Sequence, residues 1–199
     1  MKRNYLMMLA GVSVIALMMT SCAKVPRMEI DAAKASVEAA KTAEANRYVP
    51  DEFNALQDSL NTAMTMVETQ KSKFAMFRSY KASKAKLESV VAQATTVKEN
   101  ASVRKEEVKN EVQTTMTETS ALVEEVKVLI TKAPRGKGGK AAIEAIQGDL
   151  AIVEASLTEV STLVNNGDYL TAQDKVNAAR QKAESLRQEL QDAIAKTRK

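Results

Sequence analysis

Residue types able to carry covalent, acid–base or metal chemistry are scarce in this chain of 199 residues, which has one Cys, Cys22, no His and no Trp. Without an imidazole and with a single thiol it cannot assemble a Ser-His-Asp or Cys-His pair, a Cys/His zinc cage, or the Glu-x-x-His ligands of di-iron bundles. Hydrolytic, redox and metal-dependent chemistry in their common forms are excluded, and no enzyme and no bound cofactor are expected. Gly136-Lys137-Gly138-Gly139-Lys140 has the composition of a phosphate-binding loop. Such a loop needs a preceding strand, a wider glycine spacing and Ser or Thr after its Lys; Ala141 follows Lys140, so a basic linker is expected. Glu106-Glu107 and Glu124-Glu125 are adjacent carboxylates, but neighbours on a helix diverge by about 100° and interleaved Lys residues neutralise them. They read as a solvated face. Met64, Met66, Met76 and Met116 read as core filling rather than an adaptable groove.

Cys22 is the exception, and its meaning comes from the segment before it. Lys2 and Arg3 precede an apolar run from Leu6 to Met19 that is too short for a bilayer-spanning helix, the pattern of a secretory signal over residues 1–21. The run ends in Met19-Thr20-Ser21-Cys22, which resembles a bacterial lipobox; Leu is commoner where Met19 stands, and Gly or Ala where Ser21 stands. In that resemblance the signal is cut before Cys22, whose sulfur carries diacylglycerol and whose new amino group is acylated. A lone thiol in an exported chain has no intramolecular disulfide partner, and acylation removes the liability. One acyl chain binds membranes marginally, whereas two or three hold stably at about 0.8 kcal/mol per buried methylene. The expected partner is therefore a membrane, reached through lipid. Ala23, rather than Asp, after the Cys points to the outer membrane, facing the periplasm, in organisms that sort by that residue.

Loss of residues 1–21 removes two cations and no acid, lowering the formal net charge of +4 by two. With charges interspersed along the chain, nucleic acid is not expected as a partner. The number of copies in the functional assembly is left open.

The mature chain is built to be helical. From residue 23 to 135 there is no Gly, and after Pro26 the only Pro residues in that stretch are Pro50 and, at its end, Pro134. The first helix is expected over 29–46, with Ile30, Ala33, Val37 and Ala40 on one stripe. Arg47-Tyr48-Val49-Pro50 breaks it, and Pro50 with Asp51 and Glu52 suits the start of a second helix over 51–77. The seam of that helix is Phe53, Leu56, Leu60, Ala63, Val67, Gln70, Phe74 and Phe77. A third, over 79–132, keeps one heptad frame through Tyr80, Leu87, Ala94, Ala101, Val108, Thr115, Leu122 and Leu129, about 80 Å at 1.5 Å per residue. Its polar middle, 98–120, is left for partners. A basic Gly loop at 134–140 leads to a helix over 141–164 with Ile143, Ile146, Leu150, Val153, Leu157, Val160 and Val164 inward. After Asn165-Asn166-Gly167 a last helix carries Tyr169, Ala172, Val176, Ala179, Ala183, Leu186, Leu190 and Ala193.

The second hairpin repeats the first weakly: Ala55, Leu56, Gln57 and Leu60 align with Ala145, Ile146, Gln147 and Leu150, and Tyr80, Leu87, Ala94 and Val97 with Tyr169, Val176, Ala183 and Leu186. Tyr48, Tyr80 and Tyr169 each flank a helix start, where a ring closes the bundle end and its hydroxyl stays wet. The expected fold is all-α: an elongated antiparallel bundle or coiled coil of two three-helix bundles sharing one long central helix, a geometry similar to spectrin-type repeats. Its divisions are the signal at 1–21, a lipidated linker at 22–28, and bundles at 29–104 and 105–199.

Ala32, Ala33, Ala39, Ala40 and Ala43, then Arg47-Tyr48-Val49-Pro50-Asp51-Glu52-Phe53 and Leu56, Leu60 and Ala63, resemble a family of bacterial envelope lipoproteins with an Ala-rich helical domain of unknown function. Its hallmark is Tyr-Ala-Pro-x-Glu before a second helix, here Tyr48, Pro50 and Glu52 with Val49 in place of Ala. The resemblance covers about 23–94 and implies an envelope lipoprotein with no established activity. The terminal Arg198-Lys199 resembles the end through which the murein (Braun) lipoprotein is joined to peptidoglycan. Three roles are thus in view: a lipid-anchored spacer or protein-interaction module among envelope proteins, a membrane-to-peptidoglycan tether attached at Lys199, or a carrier of a lipid or other apolar ligand.

Overall fold

A computed structural model describes residues 24–134, 136 and 139–197; these are helical almost throughout, with no strand among them. The fold is an all-α helical bundle. Its elements are α1 (Arg27–Thr42), the short α2 (Ala45–Tyr48), α3 (Pro50–Ser72), a 3-10 turn (Ala75–Phe77), α4 (Lys81–Lys132), α5 (Gly139–Asn165) and α6 (Tyr169–Thr197). The chain divides into two compact units, one ending at Ser102 and the next beginning at Val103, so α4 supplies a segment to each.

In unit 1, Ile30, Ala33, Val37 and Ala40 of α1 pack with Phe53, Leu56, Ala63 and Val67 of α3 and with Leu87, Val90, Ala94, Val97 and Ala101 of α4. Glu29 of α1 meets Lys84 of α4 at 2.6 Å, while Glu52, in the first turn of α3, accepts a 2.8 Å hydrogen bond from Asn100 further along α4. The starts of α1 and α4 therefore share one end, and α3 runs antiparallel to both.

In unit 2, Leu122, Val123, Val126 and Ile130 of α4 pack with Ile143, Ile146, Leu150 and Val153 of α5 and with Ala179, Ala183, Leu186 and Leu190 of α6. Gln173 donates to Glu111 at 2.6 Å, Arg180 pairs with Glu118 at 3.1 Å and Arg187 with Glu125 at 3.5 Å. Each contact lies one heptad beyond the last on both helices, so α6 runs parallel to α4 in constant register. Lys175–Glu159 and Lys182–Asp149, at 2.7 and 2.6 Å, tie α6 to the antiparallel α5. Gly167, at φ +77°, closes α5: its N–H donates to the Val164 carbonyl and that of Asp168 to the Leu163 carbonyl, satisfying acceptors at the helix end.

Several expectations are corrected. The first helix ends at Thr42, because Glu44 takes a left-handed backbone, φ 61°, that turns the chain so that Ala45 and Tyr48 of α2 become buried. Val49 then leaves helical geometry, as the residue before a proline tends to, and Pro50 opens α3. The second helix stops at Ser72 rather than 77. Lys73 is extended, and Phe74, Met76 and Phe77, expected to be inward, are 72, 71 and 71% exposed. The middle of α4 is less bare than its composition implies: Val108, Val112 and Thr119 are buried, the Thr119 hydroxyl donating to the Thr115 carbonyl at 2.7 Å. Ala101, Val108 and Leu122 keep the heptad frame, and Val112, Thr119 and Val126 follow it four residues on, all of them buried. The hydroxyl oxygens of Tyr48 and Tyr80 are buried, not wet.

Candidate functional site

Met19, Thr20, Ser21 and Cys22 lie outside the described residues, as do Arg198 and Lys199. Beyond Cys22 the chain enters the fold almost at once. Val25 packs against the unit 1 core and Pro26 is buried, its carbonyl accepting the Ile30 N–H at 3.0 Å, so helix begins at Arg27. The first helical residue thus stands five positions after Cys22.

Tyr48, Pro50 and Glu52 come together as the corner between α2 and α3. Tyr48 is buried, Pro50 occupies the first helical turn, where its missing N–H costs nothing, and Glu52 is tied to Asn100. All three are structural: Tyr48 fills the bundle end, Pro50 stops one helix and starts another, and Glu52 fixes α3 against α4. Glu44, just ahead of α2, pairs with Arg47 within it at 2.9 Å.

The Gly loop is a tight connection. Gly139 donates its N–H to the Gly136 carbonyl at 2.8 Å and opens α5, and a Cβ at Gly139 would run into the Pro134 carbonyl. Lys140 is exposed, 3.9 Å from Glu144. Arg135, Lys137 and Gly138 lie outside the described residues.

Glu106, Glu107, Glu124 and Glu125 of α4 are engaged by cations. Glu106 pairs with Lys109, Glu107 with Arg104, and Glu124 with Lys127, which also reaches Glu154 of α5 at 2.8 Å. Hydrogen bonds to Glu124 and Glu154 hold the Lys127 ammonium well above its ordinary value, and those to Glu107 and Glu111 raise Arg104. Among the described residues no group of three or more Cys, Asp or Glu is placed to hold a metal ion, and no helix is long and apolar enough to cross a membrane.

The surface grooves are open to solvent. One in unit 1, of about 510 Å³, runs between α3 and α4 past Asp58, Asn61, Thr62, Thr65 and Ser79. A larger one, about 910 Å³, lies where the chain enters α1, lined by Lys24, Arg27, Arg78, Tyr80, Lys81 and Lys84. Spacing did not point to this basic end, although a signal was present: no acid occurs between Glu68 and Glu88, a stretch holding six Lys or Arg residues. Of the four methionines, Met64 packs against the core and Met66 and Met116 are half-buried, whereas Met76 is exposed.

No known protein family, curated protein or solved structure matches the chain.

Proposed function

We propose that the chain is a lipid-anchored, non-enzymatic envelope protein, held through Cys22 at the periplasmic face of a bacterial outer membrane, and that its helical faces act as a spacer or protein-interaction module. The observation that carries this reading is the immediate start of the folded body behind Cys22. Val25 and Pro26 are already packed into unit 1, so an acylated Cys22 would hold a helical bundle close to the bilayer. The lipobox-like Met19-Thr20-Ser21 supplies the processing signal. The corner at Tyr48, Pro50 and Glu52 gives a structural account of the motif that resembles the lipoprotein family proposed for this chain: it sets the turn between α2 and α3.

Labelled palmitate fed to cells should enter the wild-type protein and be lost in Cys22→Ala, and the intact mass of the mature chain should exceed that of the bare polypeptide by its acyl groups. An unlipidated, freely diffusing mature chain would overturn the reading. Crosslinking in living cells followed by affinity purification then identifies what the helical faces contact.

A further inference from the structure

At one end of unit 1 the segregation of apolar residues fails. The beginning of α1, the end of α3 and the beginning of α4 meet there, and four large apolar side chains project outward. Met28, in the first turn of α1, is 84% exposed, and Phe74, Met76 and Phe77 stand on the turn between α3 and α4. This turn is held in shape. Arg78 donates from Nε to the Lys73 carbonyl and from Nη2 to the Lys71 carbonyl, both at 2.9 Å, and the Ser79 N–H donates to Gln70 Oε1 at 3.1 Å. The 3-10 turn adds a bond from the Phe77 N–H to the Phe74 carbonyl at 2.9 Å. These rings are therefore displayed on a fixed turn.

The surroundings are cationic. Lys71, Lys73, Arg78, Lys81, Lys84 and Lys86 fall in a run without a carboxylate, and Lys24 and Arg27 join the same end across the 910 Å³ groove. Lys71 and Lys84 are paired with Glu68 and Glu29. Exposed aromatic and thioether groups rimmed by Lys and Arg suit the interfacial layer of a bilayer, where rings enter the headgroup–acyl boundary and cations meet phosphates.

We propose that the α3–α4 turn with Met28 is a membrane-docking surface, in which Phe74, Met76 and Phe77 enter the interface of an anionic phospholipid bilayer and the surrounding cations hold its phosphates. Chain connectivity selects a bilayer over an acidic protein as the occupant. Cys22 is two residues from Lys24, at most about 7 Å of chain, so acyl groups on Cys22 would insert beside this surface. The inference rests on the anchoring reading above and extends it: lipid supplies attachment, and the turn orients unit 1 against the headgroups.

Because the chain lacks Trp, Phe77→Trp introduces a single tryptophan, selectively excited apart from the tyrosines, at a site where a larger ring is tolerated. The full chain carrying Phe77→Trp is expressed, purified in its mature form and added to phosphatidylethanolamine–phosphatidylglycerol vesicles with brominated acyl chains. The expected result is blue-shifted emission quenched about twofold, with weaker quenching in phosphatidylcholine vesicles. Phe74→Trp should behave alike, and Ile152→Trp, on an exposed site of α5, should stay unquenched. Intact mass measured on the same samples reports acylation separately. Acylated, vesicle-bound protein whose Phe77→Trp and Phe74→Trp fluorophores stay unquenched overturns the docking surface and leaves the anchor standing, even if an acidic protein binds there. A mass without acyl groups overturns the anchor; quenching in that sample still supports the surface, and its absence overturns both.

Discussion

Glu29 and Lys84 show how single side chains lock unit 1. Their hydrogen bond and mutual attraction hold the Glu29 carboxyl below its ordinary 4.5 and raise the Lys84 ammonium above its ordinary 10.5. Since folding favours ionised Glu29, the stability from this pair is fully present above the ordinary carboxylate value and lost as pH falls through the lowered folded-state value. Thermal unfolding should therefore separate wild type from Glu29→Gln at neutral pH and bring the two together in acid; a gap that persists unchanged into acid would contradict this. Burial sets a larger scale. Leu87 is fully buried among α1, α3 and α4 residues, and Leu87→Ala should cost about 2–5 kcal/mol in urea unfolding, whereas removing an exposed side chain such as Ile152 should change stability by less than about 0.5 kcal/mol.

Helix α6 keeps its register on α4 through contacts repeating every seven residues: Gln173–Glu111, Arg180–Glu118 and Arg187–Glu125. These groups are partly exposed, so each contributes at most about 1 kcal/mol and acts mainly by penalising a shifted alignment. Arg180→Glu should destabilise the protein by about that amount, and adding Glu118→Arg should restore part of the loss in a double-mutant cycle; strict additivity would show that the pair is uncoupled. The seams of α5 and α6 were readable directly, because Ile143 to Val160 and Ala172 to Leu190 alternate by three and four without interruption and nearly all of these residues are buried. Element ends were harder to read. Phe74 and Phe77 fall in phase with the α3 seam, and only the extended Lys73 takes them out of it. Nothing in the type of Glu44, a good helix former, announces a left-handed backbone; burial of Ala45 and Tyr48 outweighs local preference there. The basic end of unit 1 escaped notice because positive and negative charges nearly balance over the chain, and the acid-free run becomes meaningful only when the fold sets Lys24 and Arg27 beside it. The role expected of Cys22 rests on residue type and context alone, and Cys22 lies outside the described residues.

At the scale of the molecule, successive helices are linked by short turns, and each unit draws on an unbroken run of chain. Bundles with such local connectivity fold quickly, so refolding from urea should be complete within about milliseconds. Stopped-flow tyrosine fluorescence or far-ultraviolet dichroism measures this directly, and a dominant phase of seconds would contradict it. Lipidation and docking at the α3–α4 turn would then act on helices already packed into their cores.

The contiguity of unit 1 bears on how the polypeptide reaches its destination. A chain threaded amino end first, as the proposed signal requires, has delivered every segment of unit 1 once Ser102 emerges, while residues 103–199 are still in transit. Order of emergence then equals order of assembly, and a pause in translocation leaves a finished bundle rather than a bare apolar stripe exposed to aggregation or proteolysis.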